Sequence, residues 1–329
     1  MSHMHPVRLD VNRSYSASLS KIAAVAVLFT VCFSGHSFAQ QHGQKTFSSA
    51  QAAASALVAA AKNNDENAMI EILGPEGKKI VSSGDDTEDA NHRADFVKKY
   101  EQMHRLVTEP DGTTVLYIGA ENWPTPIPIV KKGNSWYFDT AAGEKEVLYR
   151  RVGRNEMSAI RVCQELVAAE KEYSAQYKYY ALKIYSDDDQ HDGLYWKATE
   201  GAPQSPIGPL VALAVSEGYA EGRDNPPTPY RGYYFHVLTA QGKDAPGGAK
   251  NYVVDGKMTA GFAFVAYPAE YRSSGVMTFI VNEDGTVYQK DLGKKTDAIA
   301  KKMKEYNPAP DWQKAQNQQE TAQEQAAKP

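Results

Sequence analysis

The sequence predicts an α+β protein in which helices precede antiparallel strands twice along the chain. One observation is an apolar stripe at three- and four-residue spacing through residues 153–185, which indicates a long amphipathic helix. Another is a series of β-rich runs from residue 232 to 292, two of them joined by Asp-Gly turns. The length suits two domains, which we place at residues 45–152 and 153–307.

The first 39 residues have the pattern of a secretory signal peptide. The basic residues at its start are Arg8, Arg13 and Lys21. The apolar stretch Ile22–Phe33 follows, and small residues at Ser37 and Ala39 predict cleavage between Ala39 and Gln40. The stretch is shorter than the roughly 20 residues of a spanning helix. An uncleaved anchor is therefore the weaker alternative, and we expect a periplasmic or secreted protein.

Charge and cysteine content exclude some classes of function. Without the leader the chain has 33 basic and 39 acidic residues, a formal charge of −6. Phosphate contacts dominate nucleic-acid affinity, so nucleic-acid binding is not expected. The chain after the leader has no stretch apolar enough to span a bilayer. Its single cysteine, Cys163, lies among apolar residues and is expected to be a small buried hydrophobe. The Gln- and Ala-rich tail, residues 308–329, is expected to be disordered.

The first domain is predicted to consist of three helices followed by strands. Ser48 and Gln51 have capping-box spacing at the start of the first helix. Asn64 or Asp65 can cap the second helix, which Gly74–Pro75 ends. The third helix covers roughly residues 91–105, the predicted strands are 113–119, 126–132, 135–139 and 144–152, and Gly133–Asn134 forms a hairpin turn.

This order of helices and strands is similar to that of the cone-shaped NTF2-like domains. The segment VKKGNSWYFDTAAGEKEVLYRRVG (130–153) resembles their strand–turn–strand ending. The resemblance implies a cone that can hold a small ligand, and some members are acid–base enzymes. The candidates to line such a cone are His92, Asp95, His104, Trp123, Trp136 and Asp139. The alternative is that the tryptophans fill the cone and the histidines lie on an exposed helix.

The long helix of the second domain is predicted to begin near residue 153. Asn155 can cap it, and Glu156 in its first turn would complement the helix dipole. An alternative is a functional pair of Arg154 and Glu156, but capping explains the acid without further assumption. The tyrosines on the stripe are expected to lie in the core rather than on a binding face.

The loop after the helix imitates a calcium-binding loop. Asp188, Gln190, Asp192 and Gly193 stand at positions 1, 3, 5 and 6 of such a loop. Thr199 occupies position 12, where a carboxylate is required, so we prefer a solvated turn and expect no metal. A shorter helix (205–219) and a proline-stiffened connector (224–232) follow. Further binding candidates are Tyr195, Trp196 and His236.

The chain then forms a predicted antiparallel meander. Its strands are 232–240, 250–258, 261–268, 275–282 and 286–292. The acids of Glu283–Asp284–Gly285 and Asp255–Gly256 are interpreted as turn residues rather than catalytic groups. Both faces of the meander are apolar, so we expect the long helix to cover one face and the first domain or a partner to cover the other. His236 is expected to be a hydrogen-bonded, half-buried histidine rather than a base.

Several segments together resemble the exported bacterial family known as domain of unknown function 2950. They include ILGPEGKKIVSSGD, NWPTPIPIVKKGNSWYFDTAAG, DGLYW and SSGVMTFIVNEDGTVYQKDLG, and they extend from about residue 45 to residue 293. The resemblance implies no established activity that could be assigned to particular residues. The long helix and meander also resemble the soluble part of type IV pilins and pseudopilins. However, the apolar membrane half and the prepilin cleavage site of those proteins are missing.

Two hypotheses of function follow from these observations. The first is a non-enzymatic binding or envelope-assembly module with a secretion or pilus protein as partner and no cofactor. It agrees with the lack of a G-x-S-x-G elbow, an H-E-x-x-H motif and a C-x-x-C motif. The alternative is a small-molecule binder or acid–base enzyme that uses the cone, with His92, Asp95 or His104 as its acid–base groups.

Overall fold

The computed structural model describes residues 41–188, 190–198, 203–221 and 227–315. The predicted signal peptide with its cleavage site, the end of the tail and Thr199 of the calcium-like loop lie outside these residues. Within the described ranges, no helix has both the length and the apolar character needed to cross a membrane.

Helices and mostly antiparallel strands make up the described chain, which confirms the predicted α+β class. The helices are α1 (Ala50–Lys62), α2 (Glu66–Leu73), α3 (Lys78–Val81), α4 (Asp86–Gln102), α5 (Thr140–Tyr177), α6 (Gly208–Ser216) and α7 (Thr296–Ala300), with 3-10 turns at Pro75–Gly77 and Gly293–Lys295. The first strands are β1 (His104–Thr108), β2 (Thr114–Ile118), β3 (Trp123–Pro124), β4 (Ile129–Lys132) and β5 (Ser135–Phe138). The remaining strands are β6 (Tyr233–Leu238), β7 (Ala240–Gln241), β8 (Lys250–Asn251), β9 (Val253–Val254), β10 (Lys257–Met258), β11 (Ala263–Pro268), β12 (Thr278–Asn282), β13 (Val287–Lys290), β14 (Glu305–Tyr306) and β15 (Gln313–Lys314).

Two hydrophobic cores organise these elements. The first core lies between α1, α2 and α4 and an antiparallel sheet of order β1-β2-β4-β5, with β3 paired to β2. The second core lies around the later part of α5 and a sheet of order β15-β13-β12-β11-β6. We call the elements around the first core the first lobe and those around the second core the second lobe. Because α5 packs in both cores, a single helix joins the two lobes.

The helices of the first lobe begin at short polar side chains that accept backbone hydrogen bonds. Ser49, rather than the predicted Ser48, caps α1, whereas Asp65 caps α2 as predicted. Asp85 caps α4, which therefore starts several residues before the predicted position. The predicted extension of this helix to Arg105 is wrong, because Met103 is extended (φ −164°) and the chain enters β1. His104 consequently lies on a strand, not on a helix.

The predicted strand at residues 144–152 is wrong, because this segment is the first part of the 38-residue helix α5. Asp139 caps the helix through a hydrogen bond from the Ala142 amide (3.3 Å). An ion pair between Glu146 and Arg150, one turn apart, supports its first part. Val147, whose alternation with its neighbours suggested a strand, packs against the first core. Packing against the first core thus favours a helix in this segment, although its sequence pattern also fits a strand.

The predicted cap of the long helix at Asn155 is also wrong, because Asn155 lies in the interior of α5. Its side chain is buried and donates to Glu88 Oε2 and to the Ser274 carbonyl oxygen, both at 3.1 Å. Glu156 Oε1 accepts from the amides of Val276 and Met277, each at 2.9 Å. Both side chains therefore attach α5 to other segments and do not belong to a first turn.

The sheet of the second lobe is covered on both faces, as its apolar pattern predicts. All residues of β11 and β12 are buried. Helix α5 packs on β11, β12 and β13. The other cover is α7 with β14, which contact β11, so the prediction of the first domain or a partner on that face is wrong. The chain's own C-terminal segment supplies it, with Ala300 and Tyr306 buried against the sheet.

The hairpin turns contain the acids that the sequence assigned to turns. Asp255 and Gly256 both have positive φ (50° and 77°) between β9 and β10. Gly285 (φ 78°) follows Glu283 and Asp284 between β12 and β13. Cys163 is buried in the second core, as predicted.

The calcium-like loop is a network of local hydrogen bonds in its described part. Asp192 Oδ2 accepts from Lys183 Nζ (2.6 Å), and Asp192 Oδ1 accepts from the Asp187 amide (3.0 Å). Among the residues that the structure describes, no group of three or more His, Cys, Asp or Glu side chains is arranged to hold a metal ion.

Candidate functional site

A cavity of about 500 Å³ lies in the first lobe between its helices and the inner side of its sheet. This volume is in the range of small-molecule sites in proteins. Its apolar lining residues are Leu57, Ala61, Met69, Leu73, Ile80, Val81, Phe96, Leu116, Ile118, Pro126, Ile127, Phe138 and Val147. Most of this wall is aliphatic, so the cavity suits a hydrophobic molecule rather than a polar one.

Helix α5 forms one wall of the cavity. The helix approaches the segment before β4 closely at Gly143, where a Cβ would lie 2.4 Å from the Pro126 carbonyl oxygen. Only glycine permits this approach. One side of the next three turns then carries Arg150, Arg151 and Arg154, which all line the cavity. The wall of α5 is therefore strongly cationic.

Trp123 lies in the cavity wall and is 40% exposed to solvent. We call the part of the wall around Trp123 the mouth. Two cations contact the one indole ring, with Lys99 Nζ 5.3 Å and Arg150 Cζ 4.8 Å from its centroid. Arg150 also donates from Nε to Glu146 Oε1 at 2.6 Å. These contacts hold an aromatic ring and two positive charges together at the mouth.

Two polar atoms of the cavity wall are buried without a hydrogen-bond partner among the described residues. They are Thr125 Oγ1 and Arg150 Nη1. The Thr125 amide donates to the Leu116 carbonyl oxygen at 2.8 Å, which fixes this residue against β2. Because buried polar atoms in folded proteins are usually paired, two such atoms in one cavity indicate a place for a ligand group.

His92, on α4, also lines the cavity but is engaged with an arginine. Its Nε2 lies 3.3 Å from Arg154 Nη2. Since a guanidinium can only donate, Nε2 accepts and the imidazole is neutral. Burial lowers the pKa of His92 to about 4, and the charges of Arg154 and Arg151 also lower it. At neutral pH this histidine is a poor general base.

Buried acids next to the cavity connect the two lobes. Asp85 Oδ2 accepts from Tyr219 Oη (2.9 Å) and from the Gly232 amide (2.8 Å), both in the second lobe. Burial, with the neighbouring charges of Asp85 and Asp89, raises the pKa of Glu88 to about 7. Arg151 is buried beside these acids and donates to the carbonyl oxygens of two residues near α3. The group is a structural junction whose polar atoms are largely paired.

The cavity contains three of the six cone candidates, namely His92, Asp95 and Trp123. His104 is exposed on β1, where its ring stacks on Tyr100 with centroids 3.7 Å apart. The other two candidates lie outside the cavity lining. Trp136 is half-buried on β5, and Asp139 caps α5.

The remaining candidates lie in the second lobe. Trp196 is a core residue whose Nε1 donates to the Pro203 carbonyl oxygen (2.9 Å). Tyr195 donates to Glu221 (2.6 Å). His236 lines a second cavity of about 420 Å³ between α5, α6 and β6. Its Nε2 donates to the Met303 carbonyl oxygen (3.1 Å) and burial lowers its pKa, so it is the hydrogen-bonded, half-buried histidine that the sequence predicts.

Sequence reasoning did not assign Lys99, Thr125, Arg150 or Arg151 to a site, and it considered Arg154 only as a partner of Glu156. A signal for the arginines exists, because Arg150 and Arg154 are four residues apart and share one face of a helix. The interpretation of residues 144–152 as a strand placed Arg150 and Arg151 on opposite faces and left Arg154 outside the strand. No local pattern identifies Thr125, whose significance depends on the cavity around it.

Comparison with known proteins assigns a family. The model of DUF2950, described as a protein of unknown function, matches residues 44–315, so the chain belongs to this family. No curated protein and no solved structure matches the chain. The likenesses to NTF2-like and pilin-like domains therefore remain predictions from the sequence.

Proposed function

We propose that this member of the DUF2950 family is an exported binding protein that holds a small hydrophobic molecule in the cavity of its first lobe. The observation that carries the proposal is the cavity of about 500 Å³ with a largely aliphatic wall that reaches the exposed ring of Trp123. A concave, largely apolar site with a few convergent polar groups is the usual form of a small-molecule site.

Binding without catalysis agrees with the state of the titratable side chains in the wall. His92 is neutral and its Nε2 accepts from Arg154. Asp89 is buried and accepts from the Ser83 amide at 2.7 Å. A general base needs a pKa near the operating pH and access to a substrate proton. Neither side chain meets both conditions, so the alternative of an acid–base enzyme is the weaker hypothesis.

Export is proposed from the pattern of the first 39 residues. A protein that shields a hydrophobic molecule from water suits the aqueous space of a cell envelope, because apolar surface is unfavourable in water. An envelope-assembly partner, such as a secretion or pilus protein, remains a prediction of the sequence. The large hydrophobic side chains exposed on the described residues come from both lobes.

The proposal is tested by titrating the purified full chain with N-phenyl-1-naphthylamine, a neutral apolar dye whose fluorescence rises on burial. Saturable binding is expected. Leu57→Trp places a large ring in the cavity and should abolish binding. Leu213→Trp, a matched change at an exposed position of α6, should leave it unchanged.

Two outcomes would contradict the proposal. One is the absence of saturable binding by the wild-type chain. The other is equal binding by the wild-type chain and by the folded Leu57→Trp variant, which would place the dye elsewhere. Circular dichroism establishes folding first. Val147→Phe, from the α5 wall, provides a second test of filling if Leu57→Trp does not fold.

A further inference from the structure

We propose that the ligand of this cavity is an amphipathic monocarboxylate, with its alkyl chain in the apolar interior and its carboxylate held at the mouth by Lys99, Arg150 and Thr125. This inference rests on the proposed binding function and adds the chemical class of the ligand.

The wall of the cavity carries more positive than negative charge. Five cationic side chains line it, namely Arg93, Lys99, Arg150, Arg151 and Arg154, against the two acids Asp89 and Asp95. His92 adds no charge, because its pKa of about 4 keeps it neutral at neutral pH. An excess of cations beside an apolar interior favours a ligand with one anionic end.

Three of the five cations are already engaged within the protein. Arg93 donates to Asn64 Oδ1 (2.7 Å) and to Glu66 Oε1 (3.3 Å). Arg151 donates to backbone carbonyl oxygens near α3, and Arg154 donates to His92 Nε2. These hydrogen bonds hold the three arginines in the wall, so we assign the carboxylate to the two cations that lie together at Trp123.

The other two cations lie together at Trp123 with donors to spare. No carboxylate of the described residues lies within 4.0 Å of Lys99 Nζ, so the charge of Lys99 has no ion-pair partner there. Arg150 uses Nε for Glu146, while its Nη1 is buried and lacks a partner among the same residues. The indole ring of Trp123 holds both cations at the mouth. Ammonium and guanidinium donors form the strongest hydrogen bonds with carboxylate oxygens.

Thr125 provides the third contact. Its Oγ1 is buried in the cavity wall without a partner among the described residues, and a hydroxyl can donate to an anionic oxygen. The three side chains come from α4, α5 and the segment after β3, and all three line the same cavity. With Nε used for Glu146, Arg150 keeps the N–H groups of Nη1 and Nη2, so it can donate to one carboxylate oxygen while Lys99 donates to the other. A two-oxygen headgroup matches this arrangement.

The class of ligand is tested with decanoate and decanol, titrated into the full chain by calorimetry below the concentrations at which either aggregates. The two probes share an alkyl chain and differ in the charge of the headgroup. We expect decanoate to bind about tenfold more tightly than decanol, the size of one charge-assisted hydrogen bond. Added salt should weaken the binding of decanoate and leave that of decanol nearly unchanged.

Substitutions then identify the residues. Arg150→Gln and Lys99→Gln should each weaken decanoate binding by about tenfold and leave decanol binding unchanged. Thr125→Val should weaken decanoate binding by a smaller factor. The matched controls are Arg161→Gln on α5 and Lys98→Gln on α4, both at exposed positions, and they should have no effect.

The outcomes separate this inference from the function on which it rests. Equal affinity of the wild-type chain for decanoate and decanol would overturn the monocarboxylate assignment, and so would unchanged decanoate binding in Arg150→Gln and Lys99→Gln. If N-phenyl-1-naphthylamine binds while decanoate does not, the binding function stands and the ligand class is wrong. If none of the three probes binds, the binding function itself fails.

Discussion

The two lobes use similar elements in different ways. In the second lobe, β11 and β12 are buried on both faces and Phe262, Phe264 and Phe279 fill the space between sheet and helix. In the first lobe, α1, α4 and α5 stand around a sheet and leave a cavity of about 500 Å³ between them. The sheet of the second lobe is therefore covered on both faces, whereas the sheet of the first lobe borders a cavity.

Unpaired buried polar atoms occur in both lobes. Among the described residues, Thr125 Oγ1 and Arg150 Nη1 lie in the cavity wall of the first lobe, while Glu170 Oε1 and Thr278 Oγ1 lie in the second lobe. A natural core tolerates unpaired polar atoms only at a cost. The lobes differ instead in the charge of their cavity walls, since five cationic side chains line the cavity of about 500 Å³ in the first lobe and a single lysine, Lys183, lines the cavity of about 420 Å³ in the second.

We expect the greatest loss in the free energy of unfolding when an isoleucine is shortened in either sheet, and two matched positions allow the lobes to be compared. Ile280→Ala in β12 and Ile118→Ala in β2 each remove a side chain that is at most 1% exposed. Such changes cost about 2–5 kcal/mol. We expect Ile280→Ala in the upper half of this range and Ile118→Ala in the lower half, because Ile118 already borders a cavity and loses fewer contacts. Urea denaturation measures both, and equal losses would contradict the lower cost expected beside the cavity.

The next effect is a pH dependence of stability at the junction of the lobes. The pKa of Glu88 is raised from 4.5 to about 7, so its contribution to stability is full below pH 4.5 and is lost as the pH rises through 7. Glu88→Gln cannot ionise and escapes this loss. The free energy of unfolding of the variant, relative to wild type, should rise by roughly 2–3 kcal/mol between pH 4.5 and pH 8.

Urea denaturation at several pH values measures this difference. The control is Glu172→Gln, an exposed change on α5. The prediction is contradicted if the free energy of unfolding of Glu172→Gln, relative to wild type, rises equally with pH. It is also contradicted if that of Glu88→Gln, relative to wild type, does not change with pH. Either result would show that burial of Glu88 at the junction does not govern the pH dependence of stability.

A smaller effect tests whether the junction couples the lobes. Asn155→Ala removes the hydrogen bonds to Glu88 Oε2 and to the Ser274 carbonyl oxygen and leaves both acceptors buried. We expect a loss of roughly 1–3 kcal/mol in the free energy of unfolding. Fluorescence and circular dichroism should follow one shifted urea transition. Gln176→Ala, exposed on the same helix, is the control, and a loss as small as that of the control would make the junction dispensable.

The smallest change in the free energy of unfolding is expected at two hairpin turns, where the two lobes should show the same loss. Gly133 (φ 61°) and Gly256 (φ 77°) form hairpin turns in the first and second lobes, and a Cβ on either would meet nothing within 4 Å. Gly133→Ala and Gly256→Ala should therefore each cost about 1 kcal/mol, from the positive φ alone. Urea denaturation compares them. A clear difference would mean that the surrounding lobe, and not the turn, sets the cost.

Much of the fold could be predicted from local signals. The stripe of α5 from Ala159 to Tyr173, the Asp255–Gly256 turn and the buried strands of the meander all follow from periodicity and turn chemistry. The helical structure of residues 144–152 could not be predicted in this way. Val147, Tyr149 and Arg151 alternate with their neighbours as in a strand, whereas in the fold they lie on α5 and Val147 packs against the first core. Half of the cone candidates line the cavity. The other half do not, because residue type alone does not say which side of a sheet or helix faces inward.

The sequence by itself determined the α+β class, the long helix, the positions of the turns and the apolar faces of the meander, because each depends on residues near one another in the chain. Tertiary packing places the C-terminal segment over the meander, brings Lys99 and Arg150 to Trp123, and sets Thr125 in the wall of the same cavity. These residues lie on separate elements, and no local pattern records which elements pack together. The cavity has the same origin, since it is a space left between elements that each have an ordinary local sequence.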